Sequence, residues 1–378
     1  MPQIPKLGRG LCSIIKTGTN NILLYRVTAI EGARGQDMNK HTRDELKILQ
    51  ALPLQVKIEK TKNRIIEWVY EYGLDGVYIS FSGGKDSTVL LDIARKLYSD
   101  MKAMFVNTGL EYPEIVHFVK SFDNVDIIKP KMPFKEVLMK YGYPFISKEA
   151  SRDLNYGKRY LKNEGIDNEY YLARVQGRLD KNKVIHKDVL PLDLQSPFCH
   201  TKYAPLLDSE FHFHNECCNV MKKAPAHKYQ KETGRKGITA QMASESLLRT
   251  QQWLANGCNG FNLKSPISNP MSFWTEQDVL KYIYVNKLPI ASVYGDVIPK
   301  DGQYTLLEPQ KFETTGCRRT GCMFCGYGCH LEKKGEGRFL KLKETHPKIY
   351  DYIMRPDGLN YKAVIDDINN RVGTNIEY

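Results

Sequence analysis

The chain has 378 residues, 42% of them hydrophobic and 26% charged, the balance of a globular protein with ample core and neither a fibrous nor an unfolded chain. Its 55 basic and 43 acidic side chains leave a formal charge of +12, which suits a polyanionic partner, nucleotide or nucleic acid, without choosing between them. No apolar run approaches the roughly 18 residues of a membrane span, and residues 1–20 lack the apolar stretch of a secretion signal, so the expectation is a cytoplasmic chain with no membrane role. In that compartment nine cysteines point to metal ligands or redox groups rather than disulfides.

Residues 1–52 read as a basic extension, with Lys6, Arg9, Lys16, Arg26 and Arg34 among glycines and one strand-like run at 22–25. It is either an arm that reaches nucleic acid or a segment packed on the body. Residues 43–72 have a helical pattern broken near Pro53, with Val56, Ile65, Ile66, Val69 and Tyr70 as the expected apolar face.

Residues 77–98 give the rest of the chain its meaning. Val77, Tyr78, Ile79 and Phe81 suit a buried parallel strand, Ser82-Gly83-Gly84 breaks it, and Leu90, Leu91, Ile93, Ala94 and Leu97 recur at helical spacing. A glycine turn opening a helix is an anion site, because unpaired N–H groups and the positive end of the helix dipole point the same way. Lys85 adds charge, and Ser82, Ser87 and Thr88 add hydroxyls. The spacing is neither GxxxxGK[ST] nor GxGxxG.

A second strand at 103–106 runs into Asn107-Thr108-Gly109, a helix starts near Pro113, and a third strand follows at 125–128. This β-α-β-α-β order predicts an α/β, doubly wound parallel sheet whose ligand lies beyond the carboxyl ends of the strands, where both loops fall. Residues 151–190 read as a basic insertion with tyrosines at 156, 160, 170 and 171, either a solvated helical excursion or a single-strand nucleic-acid surface. Strand character returns near residues 237–241, with Glu245, Ser246 and Arg249 expected on the following helix. Thr275 is a predicted N-cap with Asp278 at the capping-box position. The organisation expected is therefore the extension 1–52, a nucleotide-binding domain over 53–300 and a cysteine-rich, then helical, segment over 301–378.

The hexapeptide Ser82-Gly83-Gly84-Lys85-Asp86-Ser87 resembles the SGGxDS signature of the PP-loop, or adenine nucleotide α-hydrolase-like, superfamily. Asn107-Thr108-Gly109 with Tyr112-Pro113-Glu114 resembles [DN]TGxx[FY]PE, residues 237–249 close on an ESxxR-like block, and Trp274-Thr275 through Asp278-Val279 with Leu288-Pro289 and Tyr294 resembles WTxxDV…LP…Y. In this order the blocks are similar to the phosphoadenosine phosphosulfate (PAPS) reductase family. The resemblance implies a Rossmann-like PP-loop fold and a nucleotide site at Ser82, Gly83, Gly84, Lys85, Asp86, Ser87, Thr108, Gly109, Glu111 and Arg249. Lys85 and Asp86 would be catalytic, the latter through a magnesium ion.

Cys217-Cys218 and Cys322-x2-Cys325 resemble the paired-cysteine plus CxxC arrangement that holds a [4Fe–4S] cluster in adenylylsulfate-type members of that family. Thiolates at such spacing are soft ligands for iron–sulfur or zinc, and Cys317 and Cys329 form a competing local set with Cys322 and Cys325. Lys222, Lys223, Arg318 and Arg319 would moderate the cluster's charge. Cys12 and Cys199 read as ordinary thiols and Cys258 as a small core residue. His212 and His214 alternate along an expected strand, where they would assist Cys217.

Sulfonucleotide reductases of the family take their nucleophile from a carboxyl-terminal ECGxH, and here no cysteine follows Cys329. The function expected is therefore an ATP-using PP-loop enzyme that cleaves at the α-phosphate in sulfur transfer, with a sulfur donor and an acceptor that nucleic acid would satisfy. The alternatives are an adenylylsulfate or phosphoadenylylsulfate reductase with a thioredoxin-like reductant, and a nucleotide or nucleic-acid-binding module without turnover.

Overall fold

The computed structural model describes residues 40–300 and 311–378. The strand-like run at 22–25, Cys12 and the basic side chains before residue 40 lie outside the described residues.

The described residues hold ten short strands: β1 Val77–Ser80, β2 Ala103–Val106, β3 Val125–Ile128, β4 Phe145–Ile146, β5 Lys236–Ile238, β6 Asn259–Gly260, β7 Ile267–Ser268, β8 Val297–Pro299, β9 Phe312–Thr314 and β10 Gly326–Tyr327. Six of them form one sheet in the order β3-β2-β1-β5-β7-β6, parallel except for β6 at one edge. This is the mostly parallel α/β sheet expected from the sequence. Its cause is visible in burial: Val77, Ile79, Ala103 and Phe105 on one face and Tyr78 and Met104 on the other are all covered, as in a parallel sheet flanked on both sides. From β1 the chain lays β2 and β3 to one side and later places β5 and β7 on the other. The strand order reverses between β1 and β5, and the crevice outside their carboxyl ends is where such a sheet accepts a ligand.

The two helices before β1 run over Arg43–Ala51 and Leu54–Tyr72, divided at Pro53 as expected. The buried face of the second differs from the expectation. Lys57, Thr61, Ile65 and Trp68 are inside, while Val56, Ile66 and Tyr70 are exposed, because the stripe that meets the sheet follows the helical period through Trp68 and not the nearest apolar residues. Glu245 and Ser246 also fall outside the helix predicted for them. Ser246 is instead the N-cap of Leu247–Asn256, its hydroxyl accepting the Arg249 N–H at 3.3 Å, whereas Thr275 and Asp278 form the capping box as predicted.

Among the described residues two large hydrophobic cores result, beside a small cluster of Tyr78, Met104 and Tyr229. One surrounds the main sheet, with Trp68, Phe81, Leu90, Phe105, Trp274 and Tyr294. The other gathers Phe134, Phe145, Leu154, Phe213, Phe324, Phe339 and Tyr361, and it includes Cys217 and Cys329. The insertion supplies helices Lys148–Leu161 and Tyr170–Gln176 to the second core. The strand expected through His212 and His214 is only an isolated bridge between Tyr143 and Phe213. Among the described residues no helix is long and apolar enough to cross a membrane.

Candidate active site

The glycine loop joins β1 to helix Lys85–Leu97. Gly83 has φ +70°, and a Cβ there would stand 2.7 Å from Val119 Cγ2, so only glycine lets the loop press against the helix Pro113–Lys120. The loop is braced internally: the Ser82 N–H donates to Ser87 Oγ at 3.1 Å, and the Ser87 and Thr88 hydroxyls both donate to the Gly84 carbonyl at 3.0 Å. The first turn of this helix has no carbonyls behind its N–H groups, which leaves donors and the helix dipole facing the mouth of the crevice.

Lys85 does not project over the loop. Its buried ammonium donates to the Arg318 carbonyl at 3.3 Å and lies 3.4 Å from Glu276 Oε1. Glu276 also accepts from Arg318 Nη2 at 2.6 Å. Burial alone would raise the Glu276 carboxyl, but Arg318 and Lys85 outweigh it and hold it below its ordinary range. Asp86 Oδ1 is buried without a hydrogen-bond partner among the described residues, and burial pushes this carboxyl up despite Lys85, Arg319 and Arg249 nearby. Tyr294 links the parts: its hydroxyl takes the Lys85 N–H at 3.4 Å and meets Thr320 Oγ1 at 2.5 Å.

The second loop is held by Glu111, which accepts from the Thr108 N–H at 2.9 Å and from its hydroxyl at 2.8 Å, while Gly109 turns with φ +75° into open space. Glu111 reaches on to Lys222 Nζ at 3.7 Å. Ser82, Glu111, Lys222, Thr320 and Gly321 then wall a cavity of about 180 Å³ at the carboxyl ends of β1 and β2. Arg249 is not in this cavity. It stands on the β5 side of the loop, paired with Glu245 and close enough to Asp86 and Arg319 to feel both.

The cysteine segments border the same cavity through Lys222, Ala226, Thr320 and Gly321. Cys217 and Cys218 open the helix that continues, through one π-helical turn at Asn219–Lys223, into Ala224–Thr233. A π turn shifts the following face and recurs at functional sites; here Lys222 lies within it. Burial raises the Cys217 thiol, and Cys218, Cys322 and Cys325 raise it further, so the four share one electrostatic neighbourhood. Burial pushes Cys322 up to about 11 against the neighbouring Lys222. Lys222 itself would be lowered by burial, but Cys322 and Glu111 hold it above its ordinary value.

Cys317 is elsewhere, beside Tyr112, Glu114 and Lys341, and Cys329 donates its S–H to the Gly326 carbonyl at 2.9 Å. Among the described residues no three Cys, His, Asp or Glu side chains converge on a single-ion site. Cys217, Cys218, Cys322 and Cys325 are nevertheless near neighbours, a set of soft donors of the kind iron–sulfur clusters use. Arg318 and Arg319, expected near the cysteines, turn to Glu276 and Asp86, the carboxylates within their reach. Glu276, Tyr294 and Thr320 were not expected in the site; they arrive from segments distant in sequence, and only the position of Glu276 just inside a capped helix hinted at proximity to an anion site.

The family model described as the phosphoadenosine phosphosulfate reductase domain matches residues 76–144 and 193–326, more than half of the chain, and leaves out the whole of the insertion. An uncharacterised protein of Methanocaldococcus jannaschii is 40% identical over 96 residues, 23% of each chain. An adenosine 5'-phosphosulfate reductase of Bacillus pumilus is 28% identical over 76 residues, and one of Lysinibacillus sphaericus is 22% identical over 239 residues, 63% of this chain and 76% of that one. The match spans only 23% of the first relative's length and 30% of the second's. A solved phosphoadenylyl-sulfate reductase from Candida auris, a phosphate complex, aligns with 16% identity and a TM-score of 0.33 over 66% of this chain and 90% of that one. With its glycine loop, its second loop and its paired cysteines all inside the matched segments, the chain belongs to the phosphoadenosine phosphosulfate reductase domain family.

Proposed function

We propose that the chain is a sulfonucleotide reductase-like enzyme that holds an adenosine phosphosulfate across the glycine loop and presents its sulfo group to the cysteine site. The observation that carries this reading is the shared cavity: Ser82 of the glycine loop, Lys222 of the cysteine helix and Gly321, next to Cys322, open on one space. The loop hydroxyls and first-turn N–H groups would bind the nucleotide phosphate, and Lys222 would donate to the oxygens on which charge grows as the sulfur–oxygen bond breaks. Thr108 and Glu111 hold the second loop in place beside it. Lys85 acts from behind, fixing the loop's first helical turn against Glu276.

Cys217, Cys218, Cys322 and Cys325 would hold a [4Fe–4S] cluster, which when bound supplies a redox-active centre beside the sulfo group. A thioredoxin-like reductant and a reducing, cytoplasmic setting follow from this reading. A second reading, cleavage of ATP between the α- and β-phosphates in sulfur transfer, with nucleic acid among the acceptors, is favoured by one feature. A cleft of about 300 Å³ lies beyond Lys85, lined by Lys300, Lys311 and Arg318 together with Glu276 and Glu313, with room for a departing pyrophosphate; Asp86, whose Oδ1 lies 3.8 Å from Lys85 Nζ, would orient its magnesium ion.

Anaerobically purified protein separates the readings. Sulfite release from an adenosine phosphosulfate supports the first, pyrophosphate release from ATP the second, and binding without either overturns both. Iron and acid-labile sulfide should be present in equal amounts, and a colourless, zinc-containing protein would remove the cluster. Lys85→Ala should weaken nucleotide binding by roughly tenfold or more, the value of one charge-assisted contact network; unchanged affinity and turnover would sink the role given to Lys85.

A further inference from the structure

Tyr294 is 2% exposed, and its hydroxyl sits in a chain of hydrogen bonds that runs from the glycine loop to the cysteine segment. It accepts the N–H of Lys85, the first residue of helix Lys85–Leu97, at 3.4 Å, and it lies 2.5 Å from Thr320 Oγ1. An N–H at that position has no carbonyl behind it in the helix, so it carries part of the positive end of the dipole. Gly84 keeps the approach open: a Cβ there would stand 3.3 Å from the Tyr294 hydroxyl and 3.9 Å from Thr320 Oγ1.

The direction of the chain follows from the protons available. Burial pushes the Tyr294 phenol up to about 12, so it keeps its proton at neutral pH. Its oxygen already accepts from Lys85, and among the described residues Thr320 is the other group it meets, so its own proton goes to Thr320 Oγ1. The Thr320 hydroxyl thus accepts from behind, and among the described residues nothing takes the proton it has to give.

That proton is left for the cavity, because Thr320 belongs to the wall it shares with Ser82, Glu111 and Lys222. Glu111 is occupied by Thr108 and Lys222. Hydrogen bonds in series polarise one another, so the hydroxyl at the end of this chain is a stronger donor than an isolated threonine. We propose that Thr320 is a binding residue for the nucleotide's anionic tail, on the nucleotide reading of this cavity, and that Tyr294 is a positioning residue that aims and polarises the Thr320 O–H. The relay extends the anion site of the glycine loop by two hydroxyls and ends two residues before Cys322. The phosphate or sulfo oxygen then meets a donor carried by the cysteine segment as well as those of the loop.

The test uses the full chain and ADP, a stable compound with two linked anionic groups, titrated by calorimetry. Thr320→Val, which keeps the shape of the side chain and removes the O–H, should bind ADP roughly tenfold more weakly than the wild type, the value of one hydrogen bond to a charged group. Thr320→Ser, which keeps the donor, should restore the wild-type affinity. Tyr294→Phe should repeat most of the loss, and the double variant should bind no more weakly than Thr320→Val alone, because the tyrosine acts through the threonine.

Wild-type affinity in Thr320→Val, no recovery in Thr320→Ser, or losses that multiply in the double variant each overturn the proposal while the nucleotide reading stands. A wild-type chain that binds no ADP overturns that reading and the proposal with it.

Discussion

His214 shows how one side chain couples burial to pH in this protein. The ring is 1% exposed, stacks on Tyr141 with centroids 5.5 Å apart, and accepts the Glu216 N–H on Nδ1 at 2.9 Å, while Nε2 has no partner among the described residues. Burial pushes its pKa down to about 4 from an ordinary 6.5. Between those values the unfolded chain carries a proton that the folded chain refuses, so stability is lost as pH falls from 6.5 and the loss is complete below 4, on the order of 2–3 kcal/mol. Urea unfolding at pH 7, 5 and 4 should show this decline in the wild type and a shallower one in His214→Gln; parallel declines would assign it to other groups.

At this scale the glycine loop was legible because its signal is local, a strand, two glycines and a helix in succession. Glu276 and Tyr294 were not, because each acts through a partner some 190 to 210 positions away, and no spacing rule encodes which carboxylate a buried lysine will find.

The helices Leu54–Tyr72 and Glu276–Asn286 are joined by an ion pair that the sequence pattern did not announce. Lys57, 1% exposed, donates to Asp278 Oδ2 at 2.6 Å and to the Gln50 carbonyl at 2.7 Å, and Asp278 at the same time caps its own helix by accepting from the Thr275 N–H at 2.7 Å. Removing the lysine leaves a nearly buried carboxylate with half its partners. Lys57→Ala should therefore cost roughly 3–5 kcal/mol in denaturant unfolding, and Lys57→Met, which restores packing but not charge, nearly as much. A cost below about 1 kcal/mol would class the pair with solvated surface bridges.

Helix starts and the first three strands could be read from caps and apolar runs. The strands β5, β6 and β7, of two or three residues each, could not be bounded, because so few residues carry no periodicity and their pairing is fixed by contacts with β1.

The two large cores share Tyr112 of the second loop, and the cysteines belong mainly to one of them. Cys217, Met323, Phe324 and Cys329 are built into the second core. The backbone around the CxxC turn is tied to three separate segments: the Met323 N–H donates to the Leu110 carbonyl at 2.8 Å, Arg338 Nη1 to the Cys325 carbonyl at 2.8 Å and the Tyr361 hydroxyl to the Phe324 carbonyl at 2.7 Å. The first core packs around the main sheet and contains none of these residues.

A group held by the four cysteines, as proposed, would therefore staple the second core, and its binding energy would add to the stability of that part of the fold. Chelation, or Cys322→Ser, should raise amide hydrogen exchange around residues 213–221, 322–330, 338–342 and 361–365 while β1 and β2 keep their protection. Nucleotide binding at the glycine loop should weaken only through Lys222, Ala226, Thr320 and Gly321, the cavity residues attached to the cysteine segments. Exchange that rises equally in both cores would mean that they unfold as one unit and that the cysteine site stabilises the whole chain, whereas no change in either would strip the site of any structural role.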